Sequence, residues 1–226
     1  MRLILASASP RRAELLATAG FEFDVRAVDV DERARANESP ADYVCRLASE
    51  KSARALDLLN GPATAGHYSG AGSARAGPHR GDSGPRVGNV GSGFSRIAPD
   101  DLMVLGADTV VVVDGEILGK PADDDLARAM LRRLSGRSHQ VMTGVSLRSA
   151  SREIGGLETT AVWFATLEPE EIEWYVGTGE GRDKAGAYAI QGRASRFIPR
   201  IEGSYSNVVG LPVALVNAMI ARISSG

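Results

Sequence analysis

Short apolar runs alternate along most of the chain with segments in which apolar residues recur every three or four positions. The first pattern predicts strands and the second predicts helices. The predicted strands are residues 2–6, 102–105, 109–113, 116–118, 139–147 and 159–167. The predicted helices begin at Pro10 and at Pro40 and, later in the chain, cover 123–134, 168–176 and 212–223. Because strands and helices interleave, the pattern predicts an α/β fold.

Polar residues mark several of these boundaries. Ser9 and Ser39 stand directly before the two prolines that open the first two helices. Serine is a preferred N-cap, and proline is well tolerated at the first helical position. Asp114 and Gly115 separate two apolar runs, which predicts a hairpin with a two-residue turn.

The apolar pattern stops between residues 61 and 100. This segment contains 10 Gly, 5 Ser and 4 Pro, and its few apolar residues cannot repay the entropy of ordering it. We therefore expect residues 61–100 to form a flexible surface insertion within one domain that spans residues 1–226.

Composition narrows the class of protein. The formal net charge is -2, without the basic excess that is typical of nucleic-acid-binding proteins. No segment approaches the apolar length of a membrane span. The single cysteine, Cys45, excludes an intrachain disulfide, as is usual in the cytosol. We therefore expect a cytoplasmic protein that binds neither nucleic acid nor membranes.

Two adjacent arginines, Arg11 and Arg12, follow Pro10 in the first turn of the predicted helix. Cations are disfavoured there, because the first turn of a helix already carries partial positive charge. Together with the backbone N–H groups and the hydroxyls of Ser7 and Ser9, the guanidinium groups suit phosphate oxygens. The alternative is a pair of exposed arginines on a solvated helix face.

A second group of charged residues is spread along the chain. Asp108 ends an apolar strand segment, where a carboxylate can hold a hard cation or take a proton from water. Glu32, Lys51 and Lys120 would complete a site with a carboxylate pair for a cation and two lysines for phosphate charge. Each residue alone is also compatible with ordinary surface charge, and Asp108 with a turn cap.

The segment "DKAGAYAIQG", residues 183–192, is rich in small residues, which let a backbone approach a ligand closely. Within it, Tyr188 could stack on a base and Gln191 could hydrogen-bond to one. The alternative is a tight loop with ordinary core packing. His139 starts a strand with no nucleophile motif nearby, so we expect it to make a structural hydrogen bond.

Taken together and in order, the motifs "SASPRR", "DVDE", "EK", "GADT", "GKP", "TGV", "DKAGAYAIQG" and "GSYSNVVGLP" resemble those of the Maf family of nucleoside triphosphate pyrophosphatases. The resemblance covers the chain outside residues 61–100. It implies a mixed central sheet with flanking helices and a deep cleft, related to the inosine-triphosphatase type. It also implies a homodimer and a divalent cation, Mg²⁺ or Mn²⁺, in an enzyme that cleaves between the α- and β-phosphates.

The resemblance further implies a role for each matching residue. Asp108 would accept the proton of the attacking water and lie close to the metal, and Glu32 would help to hold the cation. The triphosphate would be bound by the remaining charged residues and the first helix turn, namely Ser9, Arg12, Lys51 and Lys120.

Three positions imply the substrate. Family members with Arg after the proline, Thr after the catalytic Asp and Gln in "IQG" prefer dTTP and UTP, and this chain has Arg11, Thr109 and Gln191 at these places. Members that act on 7-methyl-GTP carry Trp, Gln and Glu instead. The alternatives are a pyrophosphatase of 7-methyl-GTP or another modified nucleotide, and a regulator of septum formation that acts by binding.

Overall fold

The structure, a computed structural model, describes residues 2–60 and 102–224, so the predicted insertion at 61–100 lies outside the described residues. The strands are β1 (Arg2–Leu5), β2 (Phe23–Val25), β3 (Leu102–Val113), β4 (Glu116–Leu118), β5 (Ser138–Arg148), β6 (Glu153–Trp163) and β7 (Arg200–Glu202). The helices are α1 (Pro10–Thr18), α2 (Pro40–Asn60), α3 (Asp124–Leu134), α4 (Pro169–Gly177), α5 (Tyr205–Val209) and α6 (Val213–Ser224). Within residues 2–60 and 102–224, the helices lack an apolar stretch of the length that a membrane span requires.

The strands form one mixed sheet in the order β2-β1-β3-β5-β6-β7, and β4 pairs with the far end of β3. β1 runs parallel to both β2 and β3, whereas β3, β5, β6 and β7 pair antiparallel. Helices cover both faces of this sheet. The predicted α/β class and the mixed sheet with flanking helices are therefore confirmed, and the predicted deep cleft stays a prediction.

The two strand segments predicted at 102–105 and 109–113 are a single strand, β3, so the prediction that Asp108 ends a strand is wrong. Pairing with β5 continues without interruption, with Ala107 opposite Val145 and Asp108 opposite Gly144. The parallel partner β1, in contrast, pairs only as far as Leu105. Asp108 therefore lies within β3, just beyond the point where its neighbour on the other side stops.

The predicted boundaries fail where the apolar pattern is weak. β6 begins at Glu153 rather than at residue 159, because its first half carries Gly155, Gly156 and alternating exposed positions. It ends at Trp163, and Phe164 begins the loop that follows. The short elements β2, β7 and α5 were not predicted, since three to five residues carry too little periodicity.

The capping predictions agree with the structure except for one side chain. Ser39 accepts a hydrogen bond from the Asp42 N–H at 3.1 Å, as expected of an N-cap. Ser9 occupies the N-cap position of α1, but its side chain makes no capping hydrogen bond. In α3, Leu126 is 41% exposed although it fits the helical spacing of the apolar residues, whereas Ala127 is buried.

Side chains alternate along β3 and divide the core between the two faces of the sheet. Leu105 and Ala107 pack with residues of α1 and α6, and Val111 packs with residues of α3 and α4. Val104 and Val110 pack on the opposite face against α2. Asp108 therefore points to the α2 side of the sheet, and its neighbour Thr109 points to the α1 side.

Two glycines let α2 lie directly on the sheet. A Cβ atom at Gly106 would come within 2.1 Å of the Ala48 carbonyl oxygen, and one at Gly144 within 2.3 Å of the Val44 carbonyl oxygen. Glycine in a strand often marks such a close backbone approach. This contact brings Lys51, one helical turn beyond Ala48, to the level of Asp108.

His139 makes the expected structural hydrogen bond. Its Nε2 lies 2.8 Å from the hydroxyl of Tyr188, its ring also contacts Phe164, and its side chain is buried. Burial lowers the pKa of His139 to about 4, because the charged imidazolium is poorly solvated there. The folded protein therefore holds this imidazole neutral.

This shift predicts a pH-dependent stability. His139 takes a proton near pH 6.5 in the unfolded chain but only near pH 4 in the folded one. The free energy of unfolding should therefore be unaffected by His139 above pH 6.5 and should fall by up to about 3 kcal/mol as the pH is lowered to 4. Denaturant unfolding of the wild type and of His139→Gln across this range isolates the contribution. Stability curves that run parallel at all pH values would contradict it.

Candidate active site

Three predicted site residues meet in one ion cluster. Lys51 of α2 donates from Nζ to Glu32 Oε1 at 2.8 Å and to Asp108 Oδ1 at 2.7 Å. The side chains of Lys51 and Asp108 are 11% and 13% exposed, whereas that of Glu32 is 59% exposed. The hydrogen bond from Lys51 holds the pKa of Glu32 below its ordinary value. The cluster therefore faces solvent through Glu32 and is anchored in the sheet through Asp108.

Glu32 lies in the connection between β2 and α2 and is held there by its backbone. Its carbonyl oxygen accepts a hydrogen bond from the hydroxyl of Tyr43 at 2.7 Å. Tyr43 belongs to the first turn of α2, the helix that also carries Lys51. Tyr43 was not predicted as a site residue, because the apolar pattern around it does not show that its hydroxyl reaches the connection between β2 and α2.

Arg12 is buried rather than exposed at the helix mouth. Its guanidinium group donates to the Gly210 carbonyl at 2.8 Å, the Ala107 carbonyl at 2.9 Å, Ser7 Oγ at 3.2 Å and Thr109 Oγ1 at 3.0 Å. Burial lowers the pKa of Arg12, and the charges of Asp108 and Glu32 oppose this shift. Only part of its Nη2 group therefore stays available for a phosphate.

Thr109 is also committed to the protein. Its hydroxyl accepts from Arg12, lies 2.9 Å from the hydroxyl of Thr143 and is 3.2 Å from the carbonyl oxygen of Gly210. Arg12 and Thr109 therefore tie α1, β3 and the end of α5 together on the second side of the sheet. Gly210 belongs to the motif "GSYSNVVGLP", but no single residue of that motif was predicted to touch the site.

The other predicted site residues keep polar groups that are free to bind a ligand. Ser9 is half-buried, and Arg11 makes one weak ion pair, from Nη2 to Asp183 Oδ2 at 3.3 Å. Lys120 is exposed after β4, and its charge helps to lower the pKa of Glu32. Lys120 thus acts on the ion cluster through its charge, whereas Arg11 lies at the mouth of α1 beside Asp183.

The two residues of the loop 183–192 that were expected to contact a base lie in different environments. Gln191 is exposed. Tyr188 is buried, with its hydroxyl on His139 and its ring edge-on to Phe164 at 5.0 Å between centroids. Stacking of Tyr188 on a base is therefore wrong, because the ring is part of the core, and Gln191 stays a predicted base contact.

The cluster fits a divalent cation through the chemistry of its oxygens. Asp108 and Glu32 each use one carboxylate oxygen for Lys51, and within residues 2–60 and 102–224 the other oxygen has no protein partner. Carboxylate oxygens are the ligands that Mg²⁺ and Mn²⁺ prefer. No group of three or more Asp, Glu, His or Cys side chains in this described part forms a metal site. Any cation here would therefore take its remaining ligands from substrate and water.

Comparison with known proteins identifies the family of this chain. A family model described as Maf-like protein matches residues 2–223. A dTTP/UTP pyrophosphatase of Symbiobacterium thermophilum is 49% identical over 98% of this chain and 93% of its own length. Proteins of the same name from Vibrio parahaemolyticus and Salmonella typhimurium are 42% and 40% identical, over 97% and 99% of this chain and 96% and 93% of their own lengths. The resemblance seen in the sequence is confirmed, and the chain belongs to the Maf family.

Proposed function

We propose that this protein is a nucleoside triphosphate pyrophosphatase that hydrolyses dTTP and UTP to the nucleoside monophosphate and pyrophosphate. The near-full-length match to proteins that bear this name carries the proposal. The cluster of Glu32, Lys51 and Asp108 supports it, because fixed charges of both signs that reach solvent through an exposed carboxylate suit phosphate chemistry.

The phosphates are bound at the mouth of α1. Arg11 and Lys120 keep donors free, and the first turn of α1 offers backbone N–H groups beside Ser9. Lys51 contributes positive charge from α2, although its ammonium group is also paired with the carboxylates of Glu32 and Asp108. Arg12 mainly holds the walls of the site together and adds one remaining donor from Nη2. The predicted phosphate site thus divides into exposed binding groups and a buried supporting group.

Glu32 would hold a divalent cation, Mg²⁺ or Mn²⁺, through its free oxygen, and Asp108 would lie beside that cation. When bound, the cation neutralises charge on the phosphate oxygens. Lys51 donates to both carboxylates and so keeps the two negative side chains close together without a metal. The donor set is therefore held in place before any cation arrives.

Asp108 accepts the proton of the attacking water. Its Oδ1 is fixed by Lys51, which leaves Oδ2 to accept the proton. The side chain is 13% exposed, so it reaches solvent from within a rigid strand. A general base must lie within hydrogen-bond reach of its proton donor. Because the backbone of Asp108 is already ordered in β3, little conformational entropy is lost when the side chain takes up that position.

Substrate and assembly are part of the same proposal. The substrate is a free nucleotide rather than a nucleic acid or a membrane component. The protein works as a homodimer in the cytoplasm, as the family resemblance implies. Light scattering of the purified full chain measures the dimer directly, and a monomer at micromolar concentration would contradict that part.

A single assay tests the function. Pyrophosphate release should be measured for dTTP, UTP, the other common triphosphates and 7-methyl-GTP, each with Mg²⁺, with Mn²⁺ and with a chelator. We expect the fastest release from dTTP and UTP and none with the chelator. Release of single phosphates would contradict the bond specificity. Tight nucleotide binding without turnover would favour the binding regulator instead.

A further inference from the structure

Gln191 has no side-chain anchor of its own. It is exposed, and within the described ranges its side chain makes no hydrogen bond or ion pair. Its orientation must therefore come from the backbone on either side of it. The structure fixes that backbone at two points, each two residues from Gln191, namely the N–H groups of Ala189 and Arg193.

One pair of side chains receives both of these N–H groups. The hydroxyl of Tyr175 accepts from the Ala189 N–H at 3.1 Å and donates to Glu180 Oε1 at 3.0 Å. The carboxylate of Glu180 accepts from the Arg193 N–H at 2.9 Å through Oε1 and at 3.1 Å through Oε2. Tyr175 and Glu180 thus form a continuous hydrogen-bonded bridge across the base of the Gln191 turn, which we name the Gln191 clamp.

The clamp is rigid because its parts are packed. Tyr175 is 1% exposed on α4, with its ring edge-on to Phe197. The contact with Glu180 is so close that a Cβ atom at residue 192 would lie 2.2 Å from Glu180 Oε1. Glycine at Gly192 is therefore what allows the carboxylate to reach the turn.

We infer that Tyr175 and Glu180 are positioning residues that hold Gln191 in the orientation needed to bind the base of the substrate. This inference rests on the proposed function, in which Gln191 contacts the base of dTTP or UTP. Neither residue was predicted from the sequence, and neither needs to touch the substrate. A poorly held amide loses its hydrogen bonds to the base, so the clamp acts on substrate affinity rather than on the chemical step.

The test removes the clamp without removing Gln191. Tyr175→Phe keeps the ring and deletes the hydroxyl, and it should raise KM for dTTP about tenfold with little change in kcat. Glu180→Ala should act in the same direction and serves as a second variant if Tyr175→Phe does not fold. Glu180→Gln keeps an acceptor at the position of Oε1 and should restore most of the affinity. Glu173→Ala is the matched control and should change neither constant, because Glu173 lies on α4 with Tyr175 but pairs with Arg128.

A double-mutant cycle with Gln191→Ala decides whether the effect passes through Gln191. If the clamp acts as inferred, Tyr175→Phe has no further effect on KM once Gln191 is an alanine. An undiminished tenfold effect in that background overturns the inference and leaves the proposed function intact. Gln191→Ala without any effect on KM overturns the base contact itself. Amide exchange at Ala189 and Arg193, which should speed up in Tyr175→Phe, gives a readout that is independent of turnover.

Discussion

Asp108→Asn is expected to lower kcat for dTTP by about 10²–10⁴-fold, the usual effect of losing a general base. The substitution keeps the size of the side chain and an oxygen that can still accept from Lys51, now 2.7 Å away. It removes the ability to take a proton and one negative charge. Because Asp108 lies in the middle of β3 with its backbone paired to β5, the strand itself should be unaffected.

The measurement is pyrophosphate release under saturating dTTP, with thermal unfolding as a check that the variant is folded. Asp125→Asn is the matched control, because that aspartate is 95% exposed on α3 and pairs only with Arg128 among the described residues. Raising the concentration of Mn²⁺ separates two roles of Asp108. If only cation affinity were lost, excess cation would restore turnover. Near-normal turnover of the folded Asn variant at ordinary concentrations would remove Asp108 from the mechanism.

Local sequence patterns identified the candidate charged residues of the site, but they could not show which of these residues contact one another. Lys51 contacts Glu32 and Asp108 across sequence separations of 19 and 57 residues. Periodicity within α2 or β3 contains no information on such distances. The one sequence signal for the contact is Gly106, since a glycine in an apolar strand is consistent with the close approach of another backbone.

Arg12 shows the second limit of the sequence. Its position in the first turn of α1 predicts a cation that waits for a phosphate, and the same position next to Arg11 suggests two equivalent groups. The structure makes them different, because Arg12 turns inward to the carbonyls of Ala107 and Gly210 while Arg11 stays at the rim. Gly210 comes from the far end of the chain, so only the tertiary fold distinguishes the two arginines.

Tyr188 and Gln191 illustrate the same limit within one loop. Both are polar, both lie in a stretch of small residues, and their spacing permits either to face a ligand. The outcome depends on the partner of Tyr188, which is His139 on β5. A buried hydroxyl must find a hydrogen bond, and the only way to learn where it finds one is to know which strand lies beneath the loop.

The second large expected effect concerns substrate preference, and the contacts of Thr109 in the structure decide which quantity should be measured. The combined variant Arg11→Trp, Thr109→Gln and Gln191→Glu is expected to shift the ratio of kcat/KM for dTTP over 7-methyl-GTP by several hundredfold, since each polar group left unpaired against the bound base costs about 1–3 kcal/mol. A neutral glutamine amide suits the O4 and N3–H edge of uracil or thymine. The positively charged 7-methylguanine instead favours a carboxylate and a stacking tryptophan.

The ratio rather than the absolute rate is the correct measure, because Thr109 is not a free side chain. Its hydroxyl supports Arg12 and contacts the carbonyl of Gly210, so Thr109→Gln should also reduce turnover of every nucleotide. Gln191→Glu alone should shift the ratio with less general loss, since Gln191 is exposed. Gln140→Glu makes the same chemical change at an exposed position of β5 and should leave the ratio unchanged. An unmodified protein that hydrolyses 7-methyl-GTP faster than dTTP and UTP would overturn the substrate assignment while leaving the pyrophosphatase proposal in place.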